Sequence, residues 1–151
     1  MNPADLILPG LWLGNREAAA DGEWLQANRI TTVFNCTKNL PFHDSIQRRY
    51  RVPVDDNLQP AEIANMTAWS AETQLKLWRE FKAGHHILVH CHAGMQRSAA
   101  VVAMFLITTQ GMSADQAMAT VQQKRPIAFQ HAANFEASIR AWEASFKRAT
   151  Q

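Results

Sequence analysis

The sequence predicts an α/β fold with a twisted, mostly parallel central sheet flanked by helices. Three observations predict it. Ile30 to Phe34 and Ile87 to Cys91 are short apolar runs, the first rich in β-branched and aromatic residues, with the composition of strands buried on both faces. Stretches of a dozen or more residues with helical periodicity lie between the strand-like runs, which is the spacing of crossover units. The run ending at Cys91 passes through a short loop straight into an alanine-rich helical stretch, so strand and helix share one turn.

The elements follow in order. Leu6 to Leu13 is apolar but broken by Pro9-Gly10, giving a short edge element with a turn. Glu17 to Ala27 reads as a helix with Ala20, Trp24 and Ala27 among its apolar positions. Ile30 to Phe34 is a buried strand, and Asn35 to Asp44 a polar loop. Tyr50 to Val54 is a further strand, where Pro53 marks an end or an edge because proline cannot donate to a central ladder.

Pro60 to Ala83 is the longest helical signal. Pro60 suits a first turn, Glu62 suits the positive end, and Ile63, Met66, Thr73, Leu77 and Phe81 keep one face. Gly84 terminates it. Ser98 to Thr109 is apolar on nearly every side and is expected at the centre, ended by Gly111. Ser113 with Gln116 is a capping box opening a helix to about Lys124. Pro126 breaks that helix, and a last one runs from about His131 to Lys147 with Phe135, Ile139, Trp142 and Phe146 on a stripe. The tryptophans at 12, 24, 69, 78 and 142 fall mostly on apolar stripes and are expected in the core.

With 151 residues, no internal repeat and no linker, the chain reads as one domain over residues 1–151. Hydrophobic residues at 47% and charged residues at 19% exclude the disordered class. A net charge of +2 gives no footprint for nucleic acid. Arg48, Arg49 and Arg51 are the one basic group, read as a solvated strand edge ahead of a dock for acidic substrate flanks. Cys36 and Cys91 do not make a disulfide framework, so a reducing cytoplasmic setting is the default. No apolar run reaches the ~18 residues of a membrane span, and the first residues lack the basic and apolar regions of a signal peptide.

The chemistry lies in Val89-His-Cys-His-Ala-Gly-Met-Gln-Arg-Ser98. An apolar strand delivers Cys91 into a turn that ends at Arg97, and a helix follows. Backbone N–H groups in such a turn can converge into an anion nest at the positive end of the helix. Gly94 permits the chain reversal or a close approach of backbone to an oxyanion. A cysteine there gains acidity, because its thiolate accepts the hydrogen bonds that a phosphate would. Arg97 offers a planar fork for two phosphoryl oxygens. The run has no Lys-Ser or Lys-Thr ending of a nucleotide loop and one cysteine only, which excludes a paired-cysteine redox or zinc site. His90, Cys91 and His92 are adjacent, and strand neighbours point to opposite faces, so no metal is expected.

His90 through Ser98 resembles the signature loop of the protein tyrosine phosphatase superfamily: a cysteine, an intervening run and an arginine. Ser98 beside the arginine, and Leu88-Val89-His90 before the cysteine, are similar to the dual-specificity branch. Leu8 to Asn15, Ile30 to Phe42, Val52 to Asp56 and Ser113 to Phe135 resemble further family segments in family order. The resemblance implies that Cys91 attacks phosphorus, Arg97 binds the phosphoryl group, Ser98 donates to the departing thiolate, and His90 sets the cysteine's environment. It implies that His92, Ala93, Gly94, Met95, Gln96 and Arg97 form the phosphate-binding loop, and that no cofactor is needed. The family pattern favours Asp56 as general acid, with Asp55 as its alternative. The expected partner is a phosphorylated protein carrying phosphotyrosine, phosphoserine or phosphothreonine. Alternatives are a catalytically weak phosphopeptide-binding module, or a phosphatase for a phosphoinositide or an RNA 5′ end. An arsenate reductase or rhodanese-like thiol enzyme fits the order of elements less well.

Overall fold

The computed structural model describes residues 2–151. A five-stranded sheet holds β1 (Ala4–Leu8), β2 (Leu11–Gly14), β3 (Ile30–Asn35), β4 (Arg48–Arg51) and β5 (His86–His90) in the order β1-β2-β5-β3-β4. Only β1 with β2 is antiparallel; β2 with β5, β5 with β3 and β3 with β4 are parallel. β5 therefore sits at the centre, and its carboxyl end delivers Cys91.

Period-two alternation along β5 separates two cores. Ile87 and Val89 join a large cluster with the helices α3 (Pro60–Lys82), α4 (Arg97–Gln110), α5 (Ala114–Lys124) and α6 (Glu136–Ala149). Leu88 faces the other way, into a smaller cluster with α1 (Arg16–Ala20) and α2 (Gly22–Ala27). α4 is the hub: it packs on β5 and β2 and is surrounded by α3, α5 and α6. Every residue from Arg97 to Ile107 is buried, as its all-round apolarity predicts.

Several boundaries differ from the sequence reading. The expected helix over 17–27 is two short helices, because Asp21 ends the first in an extended conformation and caps the second by accepting from the Trp24 N–H at 3.1 Å. The strand expected at Tyr50 to Val54 starts earlier and stops at Arg51. Val52 N–H still reaches Asn35 O at 2.9 Å, but Pro53 has no N–H to continue the ladder. The last helix begins at Glu136 instead of His131, leaving 126–135 irregular. The capping box at Ser113 and Gln116 forms with both reciprocal bonds, and Gly111 ends α4 at φ 67°.

Two compositional expectations hold in part. Trp12, Trp24, Trp69 and Trp142 are half-buried and pack against the two core clusters, whereas Trp78 is 39% exposed with Lys82 stacked on its ring. The arginines do lie on an edge strand, β4, with Arg48 and Arg49 exposed, and they are also tied down. Arg48 forks onto the buried Glu80 of α3, and Arg51 donates to the carbonyls of Thr37 and Leu40. None of the described helices is long and apolar enough to cross a membrane.

Candidate active site

Cys91 ends β5's run and Arg97 opens α4, so the turn between them lies at the N-terminus of the central helix. What shapes the turn is the accounting of its carbonyls. His92 O accepts from Arg16 N–H at 3.0 Å, and Met95 O accepts from Phe129 N–H at 2.9 Å. Between them Ala93 O and Gly94 O accept from Nη2 and Nε of Arg125 at 3.0 and 2.9 Å. The outward Ala93 carbonyl leaves the Gly94 N–H of the same peptide unit pointing at Cys91, and the Ser98 N–H, without an intrahelical partner in the first turn of α4, points there too.

Arg125 is 0% exposed, so no water can replace what it donates. Its remaining Nη1 reaches Asn2 O and the Asp5 carboxylate, both at 2.8 Å, and that carboxylate balances its charge. Gly94 lies at φ 68°, and an added Cβ would sit 2.6 Å from Gly14 O and 2.9 Å from Arg125 Nη2. The sequence reading placed Gly94 at the reversal but passed over Arg125 as a support, because a Lys-Arg-Pro at a helix end carries no signal of burial.

Cys91 is almost wholly buried, and burial opposes ionisation. The Ser98 hydroxyl at 3.0 Å, the Ser98 N–H, the Arg97 charge and the Gly94 N–H outweigh it, holding the thiol below its ordinary pKa. Cys36, on the neighbouring strand end, shows the contrast. Burial, and then the nearby Cys91, push its thiol well above the ordinary value. Arg97 Nη1 donates to Val54 O at 3.0 Å, while its buried Nε has no acceptor among the described residues.

His90 points away from Cys91's face, as strand alternation requires. Its Nδ1 lies 3.2 Å from Cys91 O, and since a carbonyl only accepts, Nδ1 carries the proton. Burial first, with the charges of Arg51, His92 and Arg97 in support, lowers its pKa to about 4 against the bond to Cys91 O, so the ring is neutral near pH 7.

The two candidate acids have different neighbours. Asp55 pairs with Lys38 at 3.1 Å, and its N–H donates to Glu62, which directs it toward the start of α3. Asp56 is exposed, and its Oδ1 accepts from Asn134 Nδ2 at 2.9 Å, on the irregular stretch beside the signature loop. Gln96 Oε1 in turn accepts from Asn134 N–H at 2.9 Å. The structure thus brings Cys91, Arg97, Ser98, Gln96 and, through Asn134, Asp56 into one region, and leaves Asp55 in a separate ion pair. Asn134 was not singled out from the sequence; a lone Asn in an Ala-Ala-Asn-Phe stretch has no distinguishing pattern. Among the described residues no group of His, Cys, Asp or Glu is arranged to hold a metal.

Two outcomes follow from this geometry. Gly94→Ala is expected to destabilise the fold by about 1 to 3 kcal/mol, because the position lies at φ 68° and the oxygen that must yield is backbone; a denaturant midpoint equal to the parent's would show that the loop has room. For His90, the unfolded chain binds a proton near 6.5 and the folded one near 4. Its stability contribution is complete above about 6.5 and is lost as pH falls toward 4, amounting to roughly 3 kcal/mol. Denaturant midpoints between pH 7 and 4 should fall less steeply in His90→Asn than in the parent; an unchanged slope would place the sensitivity elsewhere.

The model of the dual specificity phosphatase catalytic domain family matches residues 11–145. Dual specificity protein phosphatase 2 of mouse is 34% identical over 122 residues, covering 80% of this chain and 37% of the relative. The chain therefore spans little more than a third of that relative's length. The crystal structure of human DUSP28 superposes with a TM-score of 0.85 at 26% identity, over 97% of both chains. That of the human tyrosine phosphatase-like serine/threonine/tyrosine-interacting protein does so with a TM-score of 0.82 at 28% identity, over 95% of this chain and 97% of the other. A phosphatase fold, a signature loop bounded by Cys91 and Arg97, and a family match over most of the sequence together place this chain in the dual specificity phosphatase catalytic domain family.

Proposed function

We propose that this chain hydrolyses phosphate monoesters on phosphotyrosine and phosphoserine or phosphothreonine proteins through a phosphocysteine intermediate. The observation that carries the reading is the pairing of an acidified Cys91 with an Arg97 Nε–H that is buried and lacks an acceptor. A buried donor without a partner costs about 1 to 3 kcal/mol, which a phosphoryl oxygen placed beside it would recover.

The proposed reaction has two steps. The Cys91 thiolate attacks phosphorus, an S–P bond forms, and the ester P–O bond breaks. Asp56 gives its proton to the leaving oxygen, so a neutral alcohol or phenol departs. Arg97 and the inward N–H groups stabilise the equatorial oxygens as charge redistributes over them. Water then attacks the phosphocysteine, Asp56 takes the proton from that water, and the S–P bond breaks to release inorganic phosphate. Ser98, 3.0 Å from Sγ, donates to the thiolate as it leaves.

The accessible positions of the loop are His92, Ala93 and Met95, none of them a lysine. That supports a protein substrate ahead of a polyphosphorylated headgroup. The likeness to the phosphatase-like interacting protein supports a second reading, in which phosphopeptide is bound without turnover. The presence of both Cys91 and Arg97 favours the first.

Two measurements test the reading. Cys91→Ser should bind a phosphopeptide and fail to turn it over, while Arg97→Lys should be severely impaired because a point charge cannot reproduce a fork. Residual hydrolysis in Cys91→Ser within about tenfold of the parent would remove the nucleophile assignment, and a parent that binds without turnover would select the second reading. Asp56→Asn should lose about 10² to 10⁴ in kcat/KM on a phosphoserine peptide, along with the basic limb of the pH profile, and much less on p-nitrophenyl phosphate. If Asp55→Asn shows that pattern and Asp56→Asn does not, the acid is Asp55.

A further inference from the structure

A hydrogen-bonded path runs from the phosphate-binding loop to Asp56 without using the strand that carries Asp56. Gln96, 6% exposed, is the residue before Arg97. Its amide is fully engaged with the irregular stretch between α5 and α6. Nε2 donates to Gln130 O at 3.2 Å and to Ala132 O at 2.8 Å, and Oε1 accepts from Asn134 N–H at 2.9 Å. Phe129 N–H, donating to Met95 O at 2.9 Å, fastens the start of the same stretch. From this anchored backbone the Asn134 side chain reaches across 78 positions of sequence to Asp56 Oδ1 at 2.9 Å.

We infer that Gln96 and Asn134 form a positioning clamp: Gln96 fixes the backbone of 130–134 to the phosphate-binding loop, and Asn134 uses that anchorage to orient the Asp56 carboxyl for proton transfer. The inference rests on the reading of Asp56 as the general acid. Asp56 needs such help. It is exposed, it lies beyond the end of β4, and Leu58 two residues later is 64% exposed at φ 63°, so its own segment gives it little rigidity. An amide N–H on Oδ1 breaks the equivalence of the two carboxyl oxygens and leaves Oδ2 to exchange the proton. Arg97, donating to Val54 O, holds the entrance to the same segment from its other side, so both walls of the acid's segment are referenced to the loop that holds the phosphate. Positioning of this kind acts only on the step that needs a proton, and it differs from ordinary structural support in that respect.

The experiment compares the parent with Asn134→Ala, Asp56→Asn and the double variant. It measures kcat/KM against pH on a phosphoserine peptide and on p-nitrophenyl phosphate, because kcat/KM reports the steps up to departure of the leaving group. Asn134→Ala is expected to lose about tenfold or more on the phosphoserine peptide relative to its loss on p-nitrophenyl phosphate. In the Asp56→Asn background, removing Asn134 should add nothing, as for two residues that act as one unit. Gln96→Ala should show the same bias toward loss on the poor leaving group. Equal losses on both substrates would make Asn134 a structural residue, and additive losses in the double variant would do the same. A gain in rate on phosphoserine would mean that the bond parks Asp56 away from the substrate. If Asp56→Asn itself shows no dependence on the leaving group, the acid assignment fails first and the clamp falls with it.

Discussion

The seven-residue turn from Cys91 to Arg97 can offer its N–H groups to an oxyanion only if the carbonyls of the same peptide units face the other way, into protein. Those carbonyls then need donors, and burial removes water as a source of them. The solution here is the Arg125 guanidinium, 0% exposed, with Nε and Nη2 on two successive carbonyls and its charge balanced by Asp5 on β1. Gly14 and Gly94 are small because the same region leaves no room: a Cβ on either would fall 3.0 Å or closer to its neighbours. The edge hairpin, the C-terminal end of α5 and the turn from Cys91 to Arg97 are therefore parts of one packing problem.

That packing decides the chemistry at Cys91. Two cysteines lie at adjacent strand ends in the same core cluster, and burial opposes ionisation in both. They differ in what their sulfurs receive. Among the described residues Cys36 has no donor to its sulfur and stays a neutral thiol, while Cys91 receives the Ser98 hydroxyl, the Ser98 N–H from the first turn of α4 and the Gly94 N–H turned inward opposite the Ala93 carbonyl. Low dielectric strengthens those bonds as it raises the cost of leaving a charge unsolvated, so a buried thiolate is tenable only where the donors are already in place.

The segment of Asp56 is built differently. Cys91 sits in the core between a central strand and a central helix, while Asp56 sits on an exposed segment after an edge strand. Its contacts to the rest of the site come from elsewhere in the chain: Asn134 directly, and Gln96 through Asn134. This division suits the proposed chemistry: an exposed acid would exchange its proton with solvent between turnovers, and a rigid nest would keep its donors aligned without reorganising.

Much of this protein was determined by local sequence. The apolar runs at Ile30 and Ile87, the all-round apolarity of Ser98 to Thr109, and the capping box at Ser113 and Gln116 fixed the strands, the central helix and its successor, because each depends on neighbours within a few residues. The loop from Cys91 to Arg97 was legible for the same reason, since the cysteine, the reversal at Gly94 and the arginine lie within one short run. Tertiary structure decided the rest. Nothing near Arg125 in sequence says that it is buried under Ala93 and Gly94, more than thirty residues away. Only the family pattern separates Asp55 from Asp56 in the sequence; in the folded chain Lys38 claims the first and Asn134 the second. The start of the last helix shifted to Glu136 because Gln96 draws the backbone before it into long-range bonds, against its local helical pattern. Local patterns report what a residue can do within its own turn or strand, whereas a buried charge or an oriented carboxyl takes its role from partners that only the folded chain brings within about 3 Å.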